Sequence, residues 1–187
     1  MKVYVVTEGD IDIEVLRRLI PEEFADTTVF AAAGSATGTK SLARSLVVRR
    51  AAPVVVIIDS DSLAHEVIIE RKQSIEETVG SVAGDIPIKA ILAVPELESI
   101  FFHDLDLLPR ITGTPLPSDV ELLSEAQPKR ALNMYLTNYT TLNTYKDLLP
   151  LLSESDVLIL RDADPVRELL AFLDFVANYS SQLLNAA

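Results

Sequence analysis

Acidic residues follow two apolar segments of this chain, at the points where the segments end. Glu8 directly follows residues 2–7, and Asp59 and Asp61 follow the fully apolar run at residues 53–58. Carboxylates that are brought together repel one another unless a cation, a proton or a hydrogen-bond donor offsets their charge. Hard oxygen ligands of this kind suit Mg²⁺ or Mn²⁺. The residue types therefore predict a metal site that includes Glu8, Asp59 and Asp61.

The two apolar segments are typical of buried parallel strands, because they are rich in Val and Ile and are followed by helical patterns. In an open parallel sheet, ligands bind beyond the carboxyl ends of the strands, which is where these acids would lie. Two more strands are predicted at residues 27–33 and 88–94. Helices are predicted between the strands, and a loop is predicted at residues 34–39; the helical segments are 11–19, 40–50 and 63–82. This alternation predicts an α/β fold with a mainly parallel sheet and helices on both faces.

The pattern changes near residue 105 to short helical segments separated by prolines. The predicted helical segments of this part are 107–111, 119–126, 128–136, 145–152 and 166–176, with one short strand at 157–160. We therefore expect an α/β core over residues 1–104 and a mostly helical extension over residues 105–187. Because no long linker separates them, we expect the two parts to form one compact unit.

Other acids lie where they could complete the site. Glu96 and Glu98 fall in the first turn of a helix predicted to begin at Pro95, directly after the fourth strand, and Asp12 lies four residues beyond Glu8. Each has a structural alternative, because acids in a first helical turn complement the helix dipole and Asp side chains cap helix starts. The same capping alternative holds for Asp59 and Asp61. If the strand geometry continued past Asp59, these two side chains would face the same way.

Positive charge near such a site could come from either of two lysines. Lys129 begins an amphipathic helix after Pro128, where a solvated basic face is the alternative interpretation. Lys40 follows a glycine-bearing segment, but the order Gly-Lys-Ser/Thr of a phosphate-binding P-loop is absent. A further acidic pair, Asp162 and Asp164, is explained by capping of the last helix, since Asp164 precedes a proline.

The overall charge restricts the function. The chain has 28 acidic and 16 basic residues and a formal net charge of −12. Proteins that bind duplex DNA unaided usually carry an excess of Lys and Arg, so we expect this chain to bind nucleic acid only weakly on its own. The chain has no cysteine, and it shows neither a membrane-spanning segment nor a signal-peptide pattern. We therefore expect a cytoplasmic protein with no membrane partner.

The order of these motifs resembles that of the TOPRIM fold, which topoisomerases, primases and related nucleases share. Within this fold, three segments resemble one group in particular, the stand-alone proteins related to the overcoming-lysogenization-defect (OLD) nucleases. They are residues 8–12, 94–104 and 128–132. The likeness is strongest over residues 3–132. We expect the chain to differ from these families in two respects: it would have no fused ATPase domain, and it would have no catalytic tyrosine placed as in the topoisomerases.

The resemblance implies Mg²⁺- or Mn²⁺-dependent hydrolysis of phosphodiester bonds in DNA or RNA, within a defence module. Glu8 would be a metal-linked acid or general base, and Lys129 would stabilise charge at the scissile phosphate. The implied metal ligands are Glu8, Asp59, Asp61 and Glu98, with Asp12 or Glu96 as further ligands. An ATPase partner would be a separate chain, and a homodimer is compatible with the sequence.

Two other functions remain open from the sequence. One is a non-catalytic TOPRIM-like interaction subunit that binds an ATPase partner. The other is a phosphatase resembling the haloacid dehalogenases, with Asp59 as nucleophile and Asp61 as acid. That family carries its Asp-x-Asp motif on the first strand, whereas here Glu8 follows the first strand.

Overall fold

The computed structural model describes residues 1–185, and the side chains of residues 1–179. Its strands are β1 (Val3–Thr7), β2 (Thr28–Ala32), β3 (Val54–Asp59) and β4 (Ile88–Ala93). They form one sheet in the order β2-β1-β3-β4. Every neighbouring pair is parallel. The predicted α/β fold with a parallel sheet is confirmed.

Helices cover the sheet and form the second half of the chain. The α-helices are α1 (Asp10–Leu19), α2 (Glu22–Ala25), α3 (Ala36–Arg50), α4 (His65–Gly80), α5 (Leu107–Thr112), α6 (Ser118–Ser124), α7 (Pro128–Tyr139), α8 (Glu154–Asp162) and α9 (Asp164–Asn185). Three short 3-10 helices lie at Leu97–Phe102, Tyr145–Asp147 and Leu149–Leu151.

Side chains alternate along each strand and supply two apolar cores, one on each face of the sheet. On one face Val5, Val55 and Ile91 pack with residues of α1, α7, α8 and α9. On the other face Val56 and Ala90 pack with residues of α3 and α4. The helices therefore lie on both faces, as the alternation of strands and helices predicts. The first core also joins strand residues to the helices beyond residue 105.

Helix α3 begins earlier than predicted, because residues 36–39 belong to its first turn rather than to a loop. Ser35 caps the helix, and its Oγ accepts a hydrogen bond from the Gly38 N–H at 3.1 Å. A Cβ atom on Gly38 would lie 2.6 Å from the carbonyl oxygen of Ala33. Only glycine therefore allows this turn to pass so close to the end of β2.

The strand predicted at residues 157–160 is wrong, since these residues lie inside α8. Ser153 and Asp156 form a capping box at the start of this helix, with Ser153 Oγ accepting from the Asp156 N–H. Val157 and Leu160, three residues apart, are both buried in the core. A short apolar run does not separate a strand from a buried helix by itself, and here the capping box favours the helix.

Two other predicted helices differ in detail. The helix expected to begin at Pro95 is a 3-10 helix that begins at Leu97. Residues 145–152 form two short 3-10 helices rather than one α-helix, with Pro150 inside the second. A proline removes a backbone donor, which limits regular helix there.

Within residues 1–185, no helix combines the length and the apolar character that crossing a membrane requires.

Candidate functional site

The sheet order brings three strand ends to one edge. β1 and β3 are hydrogen-bonded neighbours, with Val6 opposite Val56, and β4 follows on the other side of β3. Glu8 therefore leaves β1 beside the end of β3, where Asp59 is the last strand residue. The chain after β4 enters the same edge through the 3-10 helix that carries Glu98.

Asp59 is held against the segment that follows β4. Its Oδ1 accepts a hydrogen bond from the Leu97 N–H at 2.8 Å. Burial and the nearby carboxylate of Glu98 raise the pKa of Asp59 to about 7, although the bond from Leu97 works in the opposite direction. Such a carboxyl group is only partly ionised at neutral pH, and additional positive charge near it would favour the ionised form.

Glu98 is the most deeply buried acid of the site, with 3% of its side chain exposed. Neither of its carboxylate oxygens has a hydrogen-bond partner of acceptable geometry among the described residues. Lys129 Nζ lies 3.4 Å from Oε1, which is an ion-pair distance. Burial raises the pKa of Glu98, and the positive charge of Lys129 offsets part of that rise.

Lys129 comes to the site from α7, at the second residue of the helix. Burial lowers its pKa, but the carboxylates of Glu98 and Asp59 outweigh burial, and the pKa lies above its ordinary value. The backbone N–H of Lys129 donates to Glu96 Oε2 at 2.9 Å. Glu96 therefore caps the start of α7, and its carboxylate complements the helix dipole there.

Asp12 and Glu8 complete the acidic group on the β1 side. Asp12 Oδ2 accepts a hydrogen bond from the Gly9 N–H at 3.0 Å, so this residue also caps the start of α1. Burial raises the pKa of Asp12, although the Gly9 bond and Lys129 oppose the rise. Burial likewise raises the pKa of Glu8, with Arg71 opposing. Asp12 therefore caps a helix and also lies within the acidic group, so both interpretations of this residue from the sequence remain compatible with the structure.

Asp61 is placed differently from Asp59. The strand ends at Asp59, and Asp61 has a positive φ of 50°, so strand alternation does not align the two side chains. Arg71 of α4 donates to Asp61 Oδ2 at 2.9 Å and to the Ser60 carbonyl at 2.7 Å. The Asp61 side chain is 64% exposed. A cation that used Asp61 would therefore compete with Arg71 for it.

Two residues near the acids escaped the sequence analysis, Arg71 and Tyr145. Burial, the carboxylates of Glu98, Asp12 and Asp59, and an interaction of the phenol with the Glu98 carboxylate raise the pKa of Tyr145. The phenol therefore lies close to Glu98, although the two groups do not reach the geometry of a full hydrogen bond. Tyr145 lies in a short 3-10 helix far along the chain and packs against Phe101, with ring centroids 6.3 Å apart. No local sequence signal identifies either residue, because tertiary packing alone brings them to the site.

The remaining candidates lie apart from this group. Lys40 donates to Ser74 Oγ at 2.9 Å, between α3 and α4. Asp162 ends α8, and Asp164 begins α9 and pairs with Arg167. Asp164 therefore lies at a helix start, as its position before a proline predicts.

The acidic group has donors of the type that a divalent cation prefers, although they are not arranged around one point. Among the described residues, no three His, Cys, Asp or Glu side chains converge closely enough to form a metal-binding group as they stand. The chemistry of the donors nevertheless fits a hard cation. Glu98 has two buried oxygens that find no hydrogen-bond partner of acceptable geometry in the described part of the chain, and Asp59 beside it has a raised pKa. Both groups would be stabilised by a nearby positive ion.

Compared with known proteins, the chain matches no family model, no curated protein and no solved structure.

Proposed function

We propose that this protein is a Mg²⁺- or Mn²⁺-dependent nuclease that hydrolyses phosphodiester bonds. The observation that carries the proposal is the buried Glu98 carboxylate, whose oxygens have no hydrogen-bond partner of acceptable geometry among residues 1–179 and which lies beside Asp59 and Lys129 at the carboxyl edge of a parallel sheet. Ligand chemistry collects at this edge in open α/β folds. The resemblance of the sequence to OLD-like TOPRIM proteins supports the same chemistry.

The residues that would hold a divalent cation fall into two groups. Asp59, Glu98 and Asp12 influence one another electrostatically and form the inner group. Glu8 and Asp61 lie towards Arg71 and form the outer group. A cation held by these oxygens would supply Lewis-acid stabilisation of the phosphate's developing charge.

Glu8 is suited to act as a general base. Its side chain is partly buried, and burial raises its pKa towards neutrality, where proton transfer to and from a carboxylate is most effective. In the proposed reaction, Glu8 takes a proton from the attacking water. The new phosphorus–oxygen bond forms as the bond to the leaving oxygen breaks, and that oxygen departs with the bonding electron pair and takes a proton from solvent.

Lys129 is suited to bind the scissile phosphate. Its ammonium lies 3.4 Å from Glu98 Oε1, while 51% of its side chain remains exposed at the mouth of the site. A preorganised cation at this position would stabilise negative charge as it develops on the phosphate. Glu98 keeps the lysine protonated and oriented, because it raises the lysine pKa.

Cleavage by purified protein tests the proposal. With Mn²⁺ or Mg²⁺ the wild-type protein should nick plasmid DNA or degrade single strands, and Glu8→Ala and Lys129→Ala should remove that activity. Asp10→Ala is the matched control, because Asp10 is an exposed acid at the start of α1 beside the same edge. Phosphomonoesterase activity that survives Glu8→Ala would instead indicate a phosphatase, in which Asp59 would serve as the covalent nucleophile.

One observation favours a second function, a non-catalytic interaction subunit that binds a separate ATPase chain. Lys129 already compensates the charge of Glu98, so the acidic group has an internal counter-ion. For such a subunit, divalent ions should leave the melting temperature unchanged and cleavage should be absent. Both proposals place the protein in the cytoplasm, in keeping with a chain that has no cysteine.

A further inference from the structure

Helix α3 has a charge opposite to that of the whole chain. It contains four basic residues, Lys40, Arg44, Arg49 and Arg50, and no acidic residue, whereas the formal net charge of the protein is −12. A basic surface on an acidic protein is the feature expected where a polyanion binds locally.

Three of these basic residues, Lys40, Arg44 and Arg49, line a groove against α4 with a volume of about 500 Å³. We call this the α3–α4 groove, and its polar lining includes Thr37, Lys40, Ser41, Arg44, Ser45 and Arg49. Cationic and hydroxyl side chains are the groups that most often contact the phosphates of nucleic acids. The lining is therefore chemically suited to a phosphate backbone.

The positive charge of the groove is uncompensated. Among the described side chains, neither Lys40, Arg44 nor Arg49 forms an ion pair, although seven other Lys and Arg residues do. Lys40 donates only to the neutral hydroxyl of Ser74. Arg44 and Arg49 are exposed. An incoming phosphate therefore does not have to displace a carboxylate from these residues.

One end of the groove opens at the edge of the sheet that carries the acidic site. The segment before α3 is hydrogen-bonded to this edge, because the Gly34 N–H donates to the Glu8 carbonyl at 2.8 Å. On α4, Ser74 accepts a hydrogen bond from the groove residue Lys40 and lies one helical turn from Arg71, which binds Asp61. Since α3 has 15 residues, the groove extends roughly 20 Å away from the site at 1.5 Å per residue.

We propose that the α3–α4 groove binds the phosphate backbone of a single nucleic-acid strand and leads that strand to Glu8 and Lys129. The inference rests on the proposed nuclease function and adds the substrate-binding surface that an acidic protein requires. A single strand fits better than a duplex, because among the described residues the groove offers only three cations, all on one helix, while the whole chain carries a net charge of −12 that would repel a second strand.

Fluorescence anisotropy with a labelled single-stranded oligonucleotide tests the groove separately from catalysis. The titration is done in EDTA, so that binding is measured without cleavage and does not depend on the nuclease proposal. The double variant Arg44→Ala/Arg49→Ala should weaken binding on the order of tenfold near physiological salt. The slope of log K against log salt concentration should become shallower by about 1.4, since each lost phosphate contact on a single strand accounts for about 0.7.

A matched control removes two positive charges elsewhere. Lys2→Ala/Arg167→Ala changes Lys2 before β1 and Arg167 on α9, both outside the groove, and should bind with wild-type affinity and salt slope. Thermal melting of both double variants verifies that they are folded, which is expected because Arg44 and Arg49 are exposed.

The results separate failure of this inference from failure of the proposed function. If Arg44→Ala/Arg49→Ala binds the oligonucleotide with wild-type affinity and salt slope, the proposed role of the groove in strand binding is overturned, even if the wild-type protein cleaves DNA. Groove-dependent binding in a protein that never cleaves would leave the groove standing and overturn the nuclease. Stronger groove-dependent binding to duplex DNA or to phosphatidylserine vesicles than to the oligonucleotide would overturn the assignment of a single strand.

Discussion

Lys129 Nζ lies 3.4 Å from Glu98 Oε1, so a half-exposed lysine provides the counter-charge for a carboxylate that is 3% exposed. The two residues belong to different elements, α7 and the 3-10 helix Leu97–Phe102. The carboxylate oxygens have no hydrogen-bond partner among the described residues, so the lysine supplies the main compensation for their burial. This relationship makes Lys129 important for stability as well as for the proposed reaction.

Lys129→Ala should lower the free energy of unfolding by about 1–2 kcal/mol at pH 8, because it leaves a buried carboxylate without its counter-charge. The loss should shrink at low pH, where Glu98 is protonated and needs no partner. Urea denaturation measures both values. Arg130→Ala is the control, since Arg130 is exposed and contacts only Gln127 among its described hydrogen bonds.

A double-mutant cycle then identifies the cause. Adding Glu98→Gln to Lys129→Ala should recover much of the lost stability, because the uncompensated charge is gone. If the free energy of unfolding lost in the double variant equals the sum of the losses in the two single variants, the residues act independently and the ion pair does not account for the loss.

The metal-free protein should become more stable as the pH falls from about 7 to about 4. The pKa of Asp59 rises from an ordinary 3.8 to about 7 in the folded state, so the folded chain binds more protons than the unfolded chain in this range. Stability from this group is therefore fully present below pH 4 and is lost as the pH rises through 7. Denaturation at a series of pH values in EDTA measures the trend.

Asp59→Asn should remove this dependence and stabilise the metal-free protein at pH 8 by on the order of 2–4 kcal/mol. The asparagine oxygen can still accept the hydrogen bond from the Leu97 N–H. Asp10→Asn, which changes an exposed carboxylate at the same edge, should leave the pH profile unaltered. An unchanged profile in Asp59→Asn would mean that another group controls it.

Mg²⁺ or Mn²⁺ should raise the melting temperature at pH 8. A ligand that binds only the folded state at 100 times its Kd stabilises that state by about 2.7 kcal/mol. Glu98→Gln should abolish the shift, because it removes the most deeply buried of the three carboxylates of the inner group. Glu96→Gln should retain it, since the Glu96 carboxylate is engaged by the α7 backbone. Loss of the shift in Glu96→Gln but not in Glu98→Gln would reverse these two assignments.

Asp156→Ala should destabilise the protein by about 1–3 kcal/mol at pH 7. Asp156 is 4% exposed and accepts hydrogen bonds from the Ser153 N–H at 2.9 Å and from Arg110 Nε at 2.9 Å. Although burial raises its pKa, the bonds from Ser153 and Arg110 outweigh burial and lower it. The stability it provides is therefore present above pH 3.8 and is lost as the pH falls through the lowered pKa.

The matched control for this variant is Glu154→Ala, which changes an exposed acid in the same helical turn. Denaturation curves should show a loss of at most about half a kcal/mol for this control. Equal losses for the two variants would mean that general helix-dipole effects, rather than the buried contacts of Asp156, stabilise α8.

The sequence was sufficient to predict the sheet and the edge where the acids lie. The apolar runs that became β1 and β3 are rich in Val and Ile and end at Glu8 and Asp59, and the structure pairs these strands in parallel. Such runs are informative because burial on both faces of a parallel strand demands continuous apolar side chains. At residues 157–160 the apolar run was short, and predicting a buried strand from it was wrong. These residues lie in a helix that begins with a capping box.

Only the tertiary structure decided which charged groups meet. Packing of α7 against the 3-10 helix brings Lys129 to Glu98, and packing of Tyr145 against Phe101 brings a phenol to the same acids. The tertiary structure also pairs Asp61 with Arg71 and hydrogen-bonds Glu96 to the first turn of α7. From the sequence, both acids were candidate metal ligands. The physical reason is that hydrophobic periodicity is a local property of short sequence segments, whereas contacts between distant side chains depend on how the whole core packs.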